Sequence, residues 1–180
     1  MLYVTGKPYF EEMKTKLGKL NKNIKLVPYI DDMPSVLKNT TLVVSRAGAS
    51  TLAEITAVGI PAILIPSPYV AANHQEYNAR ELADRNAAMM ILEENLNSKD
   101  FVEKVDYILE NKIVQESMQK SAKALGKPNA CRDIYKLIKT MPDNETIWIN
   151  DKNIRKQKYN DIINHGNHEQ LVKLTKDRKS

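Results

Sequence analysis

Glu54 stands one helical turn beyond a cluster of small residues in "SRAGASTLAEITAVGIPAILIPSP", residues 45–68. An apolar run stops at Ser45, and Gly48, Ala49, Ser50 and Thr51 then open a helix-like segment. Small side chains let backbone N–H groups approach an anion closely, and the positive end of the helix dipole adds to the attraction. Gly48 is free to take backbone angles that other residues avoid. The stretch suits a diphosphate, although it has neither the lysine of a P-loop nor a GxGxxG fingerprint. Glu54 is placed to accept hydrogen bonds from ribose hydroxyls. Thr51-x-x-Glu54 equally fits a capping box, in which both side chains only close off helix-terminal N–H groups. Periodicity does not separate the two roles.

Two further segments carry polar chemistry. In "PSPYVAANHQEYNA" (66–79), Asn73, His74, Gln75, Glu76 and Asn78 gather hydrogen-bonding side chains at a helix start. Such a set suits a sugar, whose hydroxyls need several donors and acceptors. The plainer reading is a polar helix N-terminus capped by Asn73. In "VPYIDDMP" (27–34), a strand runs into a loop where Ile30 and Met33 either sandwich a flat base or belong to the core.

The elements that must position these residues follow from apolar patterning. "LYVT" (2–5), "IKLVPY" (24–29), "TLVVS" (41–45), "PAILIP" (61–66) and "AAMMIL" (87–92) are of strand length. Three of these runs are nearly continuous in apolar residues, as in strands buried on both faces of a parallel sheet. Helical patterns lie between them, near 8–20, 33–39, 50–58 and 73–85, and three more follow near 99–110, 112–125 and 129–140. Strand–helix alternation predicts an α/β fold with a doubly wound, Rossmann-like parallel sheet. In such sheets ligands bind beyond the carboxyl ends of the strands, where all three segments fall.

Composition sets the outer limits. Hydrophobic residues make up 42% of the 180-residue chain, enough for a core, and charged residues make up 27%. The formal net charge of +5 is spread along the chain, so no block argues for nucleic acid by itself. Cys131 is the single cysteine, which excludes a disulfide framework and fits a reducing cytoplasm. No run approaches the apolar length of a membrane span. His165-x-x-His168 is too sparse for a metal site, and no metal or cofactor is expected.

Taken in order, "YIDDMP", "VVSRAGASTLAEITAVGIPAILIPSP" and "NHQEYNA" resemble the donor-binding half of the GT-B glycosyltransferases of the MurG family. The resemblance runs from about residue 2 to about residue 140. It implies a UDP-GlcNAc donor, transferred to lipid I to give lipid II for peptidoglycan. By it, Glu54 binds the ribose hydroxyls and the backbone of Ala49, Ser50 and Thr51 follows the diphosphate. Ile30 reads uracil through its main chain, with Met33 nearby. His74 and Gln75 stand where the family uses two glutamines on the GlcNAc hydroxyls, so His74 departs from that pattern. Arg46 receives no role. The family's acceptor domain, with its glycine-rich loop, catalytic-base histidine and membrane-facing apolar patch, is expected outside these residues, as are the first strand and the Gly-Gly-Ser-x-Gly-Ala-type loop of the donor half. No catalytic residue is therefore expected here, and a separate acceptor-domain chain at the membrane is the implied partner.

"TMPDNETIWIND" (140–151) breaks the alternation with a proline, a polar turn cluster and the one tryptophan. A boundary near 141 would divide a domain over 1–140 from an appendage over 141–180, with short helices at 153–165 and 167–177. The appendage resembles part of the C-terminal helical region of CarD-type regulators. That supports an alternative: a non-catalytic interaction protein whose tail binds RNA polymerase or nucleic acid.

Overall fold

A computed structural model describes residues 1–140, together with residues 146–147 and 157–158. By its contacts the chain divides into two compact units, Met1–Lys127 and Pro128–Ser180.

In the first unit strands and helices alternate as expected. The strands are β1 (Leu2–Val4), β2 (Lys25–Val27), β3 (Val43–Ser45), β4 (Ala62–Leu64) and β5 (Ala88–Met90). Between and after them run α1 (Phe10–Leu17), α2 (Met33–Lys38), α3 (Ala49–Val58), α4 (His74–Asp84), α5 (Ser98–Glu110) and α6 (Lys112–Leu125). Every pairing among these strands is parallel. The pairing forms two ladders, β1–β2 and β3–β4–β5, in place of one continuous sheet.

β4 is the centre of the larger ladder, and all three of its residues are buried. Side chains alternate between the two faces of a strand. Ala62 and Leu64 accordingly pack with Leu52 and Ile55 of α3 and with Ala79 and Leu82 of α4. Ile63 packs in a second cluster with Ile91, Ile108 and Met118. This division explains the unbroken apolar run at 61–66: a strand covered on both faces has no position left for a polar residue. Burying a side chain such as Ile55, Ile63 or Leu64 fully contributes about 1.5–3 kcal/mol.

α6 closes over α3 through a tight backbone approach. A Cβ added to Gly126, which caps α6, would lie 2.6 Å from the Thr56 carbonyl oxygen. Only glycine lets the end of α6 come this near.

The second unit contains α7 (Ala130–Lys139) and an antiparallel pair, β6 (Thr146–Ile147) with β7 (Gln157–Lys158). Gln157 and Lys158 are extended where the sequence patterning suggested a helix over 153–165. The other residues of the two expected tail helices, and His165 and His168, lie outside the described residues.

Candidate functional site

α3 begins immediately after the β3 loop, and its start is uncapped. Gly48 is the N-cap, and no side chain caps the helix. The first N–H bonded within the helix is that of Leu52, which donates to the Gly48 carbonyl at 3.0 Å. The N–H groups of Ala49, Ser50 and Thr51 are thus the orphan donors that every helix start leaves. Ala49 and Ser50 are exposed and Thr51 is half-buried. At its other end α3 stops at Gly59, whose left-handed backbone (φ 80°) lets its N–H donate to Ile55 O at 2.8 Å. Pro61 then prevents continuation.

The capping-box reading of Thr51-x-x-Glu54 does not hold. That motif needs the hydroxyl residue at the N-cap, and the N-cap is Gly48. Thr51 is the third residue of α3, which carries Glu54 past the turn where a carboxylate could reach back to the N-cap. Glu54 is exposed and has no hydrogen-bond or ion-pair partner among the described residues. Gly48 also departs from expectation. Its angles (φ −71°, ψ 141°) are open to any residue, so backbone freedom is not why glycine stands there. A Cβ at Gly48 would have nothing within 4 Å, so the glycine leaves open space beside the orphan N–H groups.

The segment after β4 lies at the same carboxyl edge, because β3 and β4 are parallel neighbours. Two side chains tie the loops together. Arg46 Nη1 donates to the carbonyls of Ile65 (3.2 Å) and Pro66 (3.3 Å) and pairs with Glu93 Oε2 at 2.5 Å. Asn78 Nδ2 donates to Ala47 O at 3.2 Å, which fixes α4 against the β3 loop. Arg46 thus joins the loops that follow β3, β4 and β5. Sequence reasoning gave it no role, since its partners are two backbone carbonyls and a side chain far along the chain.

His74 and Gln75 open α4, and each uses one polar atom to shape the loop. Gln75 Oε1 accepts from Ser67 N at 3.0 Å, which leaves its amide Nε2 as a donor. His74 Nδ1 lies 2.8 Å from Ala71 O. A carbonyl only accepts, so Nδ1 carries the proton and the Nε2 of the neutral ring is an acceptor. The backbone before them is strained: Ala72 (φ 52°) and Asn73 (φ 53°) are both left-handed. For an alanine that conformation costs about 1–2 kcal/mol, and such outliers gather at ligand sites. Asn73 precedes the helix but does not cap it. Its Nδ2 donates instead to Glu76 Oε2 at 2.6 Å. Arg80, followed by Asn73, holds the Glu76 carboxyl below its usual range.

Ile30 and Met33 lie beyond β2, in the other ladder. Both are half-buried, and Met33 is the first residue of α2. Asp32 caps this short helix by accepting from Ser35 N at 3.2 Å. Hydrogen bonds from the Ser35 side chain and then its backbone N–H keep the Asp32 carboxyl low. α2 packs against α3, but no hydrogen bond among the described residues links Ile30 or Met33 to Glu54, His74 or Gln75. The structure therefore gathers Ala49, Ser50, Thr51, Glu54, His74 and Gln75 at one sheet edge and leaves Ile30 and Met33 on a neighbouring element. Among the described residues no cluster of three or more His, Cys, Asp or Glu could hold a metal ion, and no helix is long and apolar enough to cross a membrane.

Comparison with known proteins identifies the family. Residues 1–136 match the glycosyltransferase family 28 C-terminal domain. The chain is 50% identical over 140 residues to the UDP-N-acetylglucosamine–N-acetylmuramyl-(pentapeptide) pyrophosphoryl-undecaprenol N-acetylglucosamine transferase of Listeria monocytogenes, covering 77% of this chain and 39% of that one. The transferase of the same name from Oenococcus oeni is 48% identical over 140 residues, covering 76% and 38%. Among solved structures, Acinetobacter baumannii MurG superposes with a TM-score of 0.68 at 27% identity, covering 78% of this chain and 41% of that one. The chain spans about two-fifths of the length of the curated relatives it matches. The uncapped start of α3, the loops clamped to it and the match over residues 1–136 lead to one conclusion: the chain belongs to glycosyltransferase family 28, through that family's C-terminal domain.

Proposed function

We propose that this chain is the donor half of a UDP-GlcNAc-dependent glycosyltransferase. The reaction is the one its relatives are named for, transfer of N-acetylglucosamine to an N-acetylmuramyl-(pentapeptide) pyrophosphoryl-undecaprenol acceptor. The observation that carries this reading is the start of α3, where three unpaired N–H groups border open space and an unpartnered Glu54 follows one turn on. A nucleoside diphosphate sugar has the matching groups in the matching order, with a diphosphate for the N–H groups and ribose hydroxyls for the carboxylate.

The roles follow from chemistry. Ala49, Ser50 and Thr51 donate backbone hydrogen bonds to the diphosphate. Transfer breaks the bond between the sugar's anomeric carbon and the diphosphate oxygen, so negative charge grows on the departing UDP. Oriented N–H groups and the helix dipole stabilise that charge without reorganising. Glu54 accepts from the ribose hydroxyls. Gln75 Nε2 donates to a GlcNAc hydroxyl, and His74 Nε2 accepts from another. Ile30 contacts uracil through its main chain, with Met33 packed beside the base. The part of the relatives' architecture outside the matched stretch holds the acceptor and supplies the base that deprotonates its hydroxyl, at the inner face of the plasma membrane. None of the residues described here is assigned the base.

Amide NMR tests this reading. UDP and UDP-GlcNAc should both shift the Ala49, Ser50 and Thr51 amides, and only UDP-GlcNAc should shift the Gln75 side-chain amide. Unmoved signals at Ala49–Thr51 under saturating UDP-GlcNAc would sink the proposal.

A further inference from the structure

Lys7 is an exposed cation that has found a ring instead of a carboxylate. It enters none of the ion pairs among the described residues. Asp31 and Asp32 follow the neighbouring strand and still do not pair with it. Its ammonium stands over the Tyr29 ring, with Nζ 5.3 Å from the centroid. An aromatic face attracts a cation through its quadrupole, which gives a flexible lysine a preferred position.

The backbone beneath Lys7 is held just as closely. Thr5 N donates to Val27 O at 3.1 Å, and Thr5 Oγ1 donates to Gly6 O at 3.0 Å. Gly6 then turns the chain with φ 81° and ψ 145°, a combination essentially reserved for glycine. A Cβ at Gly6 would meet nothing nearer than 3.8 Å, so the backbone angle and not crowding calls for glycine. Lys7–Tyr9 form one turn of 3-10 helix, closed by Tyr9 N donating to Gly6 O at 3.3 Å. Pro8 stiffens that turn.

The pair has a definite place along the nucleotide. β1 and β2 are parallel, with Val4 opposite Val27. Lys7 and Tyr29 therefore leave the sheet at the same carboxyl edge, where open α/β sheets bind ligands. Tyr29 directly precedes Ile30, whose main chain receives the base in the proposed function. The diphosphate cradle starts α3, after β3 in the other ladder. Lys7 thus belongs to the base end of the nucleotide and not to its diphosphate end. Tyr29 is 58% exposed, so the pair is open to a ligand.

We propose that Lys7 sets base specificity: its ammonium, steadied on the Tyr29 ring, donates to the carbonyl oxygen at C4 of uracil and disfavours cytosine. The inference rests on the proposed function, which places the base at Ile30. An ammonium has three donors and no acceptor. Uracil offers it a carbonyl oxygen at C4, whereas cytosine carries an amino group there, itself a donor. A carbonyl oxygen has two lone pairs, so it accepts from a main-chain N–H and from Lys7 together. With cytosine the ammonium faces another donor and loses its partner. A site built around one hydrogen bond rejects the analogue that cannot make it.

Calorimetric titration of the full 180-residue chain with UDP and with CDP tests the assignment. The variant is Lys7→Met, which keeps an unbranched apolar stem and removes the charge. The parent should prefer UDP, and Lys7→Met should reduce that preference at least tenfold through weaker UDP binding, with an unchanged thermal melt. An equal loss for UDP and CDP would overturn the proposal, since the cation would then serve a group the two share, such as phosphate. An unmoved preference would overturn it as well. A second measurement needs no variant. In the parent, saturating UDP should shift the Lys7 Cε–H signals in a carbon-edited NMR spectrum, and saturating CDP should leave them in place. Unmoved signals under UDP, or equal shifts with both nucleotides, would overturn the proposal even if Lys7→Met failed to fold. A folded parent that binds neither nucleotide would remove the donor reading and this inference with it. UDP binding with a preference that Lys7→Met does not alter would remove this inference alone.

Discussion

Replacing Glu54 with alanine separates a binding carboxylate from a structural one, because the two roles load different measurements. Glu54 is exposed and unpartnered among the described residues, so its loss removes no native contact. Surface substitutions of that kind stay within about 0.5 kcal/mol of the parent stability. A capping role would instead cost about 1 kcal/mol, a shift of several degrees in Tm for a domain of this size. On the ligand side, hydrogen bonds to a charged group contribute about 1.5–3 kcal/mol. That corresponds to an affinity loss of about 10- to 150-fold. The assay is a pair of measurements on parent and Glu54→Ala, a thermal melt by circular dichroism and a calorimetric titration with UDP-GlcNAc. The expected result is an unchanged melt with binding weakened at least tenfold. Equal affinity in the two proteins would refute the ribose assignment, and a lowered Tm would return Glu54 to a structural role.

Four further outcomes follow from the same geometry. Gly126→Ala forces a Cβ to within 2.6 Å of Thr56 O; overpacking of this kind costs about 1–3 kcal/mol, read as a lower urea midpoint. Asn78→Ala cuts the tether to Ala47 O, which should cost about 1 kcal/mol in stability and weaken UDP-GlcNAc binding as the β3 loop loosens. The Glu76 carboxyl is held low by Arg80 and then Asn73, so its contribution is complete above the usual carboxylate range and lost as pH falls through the depressed value. In a carbon-detected NMR titration, Arg80→Ala should move the Glu76 midpoint upward, and an unmoved midpoint would show that the pair does not form in solution. Deleting residues 142–180 should leave a cooperative melt, since the family match ends at residue 136; a lost transition would place the boundary elsewhere.

Much of the fold was legible because each apolar run answers one physical demand. The run at 61–66 became β4, buried on both faces, and helices near 50–58 and 73–85 became α3 and α4 within a residue or so. Gly59 and Pro61 mark the end of α3 in the sequence as clearly as in the structure. What stayed hidden depends on geometry that a sequence pattern does not encode. The spacing Thr51-x-x-Glu54 is a capping box only if the helix starts at Thr51, and it starts at Ala49. Asn73 is a favoured cap by type, yet its left-handed backbone turns the side chain to Glu76 instead. Arg46 could not be assigned because its carbonyl partners and Glu93 come from other loops. The division into two ladders was equally invisible, since apolar runs predict strands but say nothing of which neighbours they find.

The central claim is that the donor site resides in this chain, and calorimetric titration with UDP-GlcNAc, with UDP-glucose as the control, tests it most directly. The account predicts saturable binding that favours the N-acetylglucosamine sugar, because the proposed site offers its hydroxyls the Gln75 Nε2 donor and the His74 Nε2 acceptor, the atoms not engaged by Ser67 and Ala71. A folded chain that binds neither nucleotide sugar, or both equally, would contradict it.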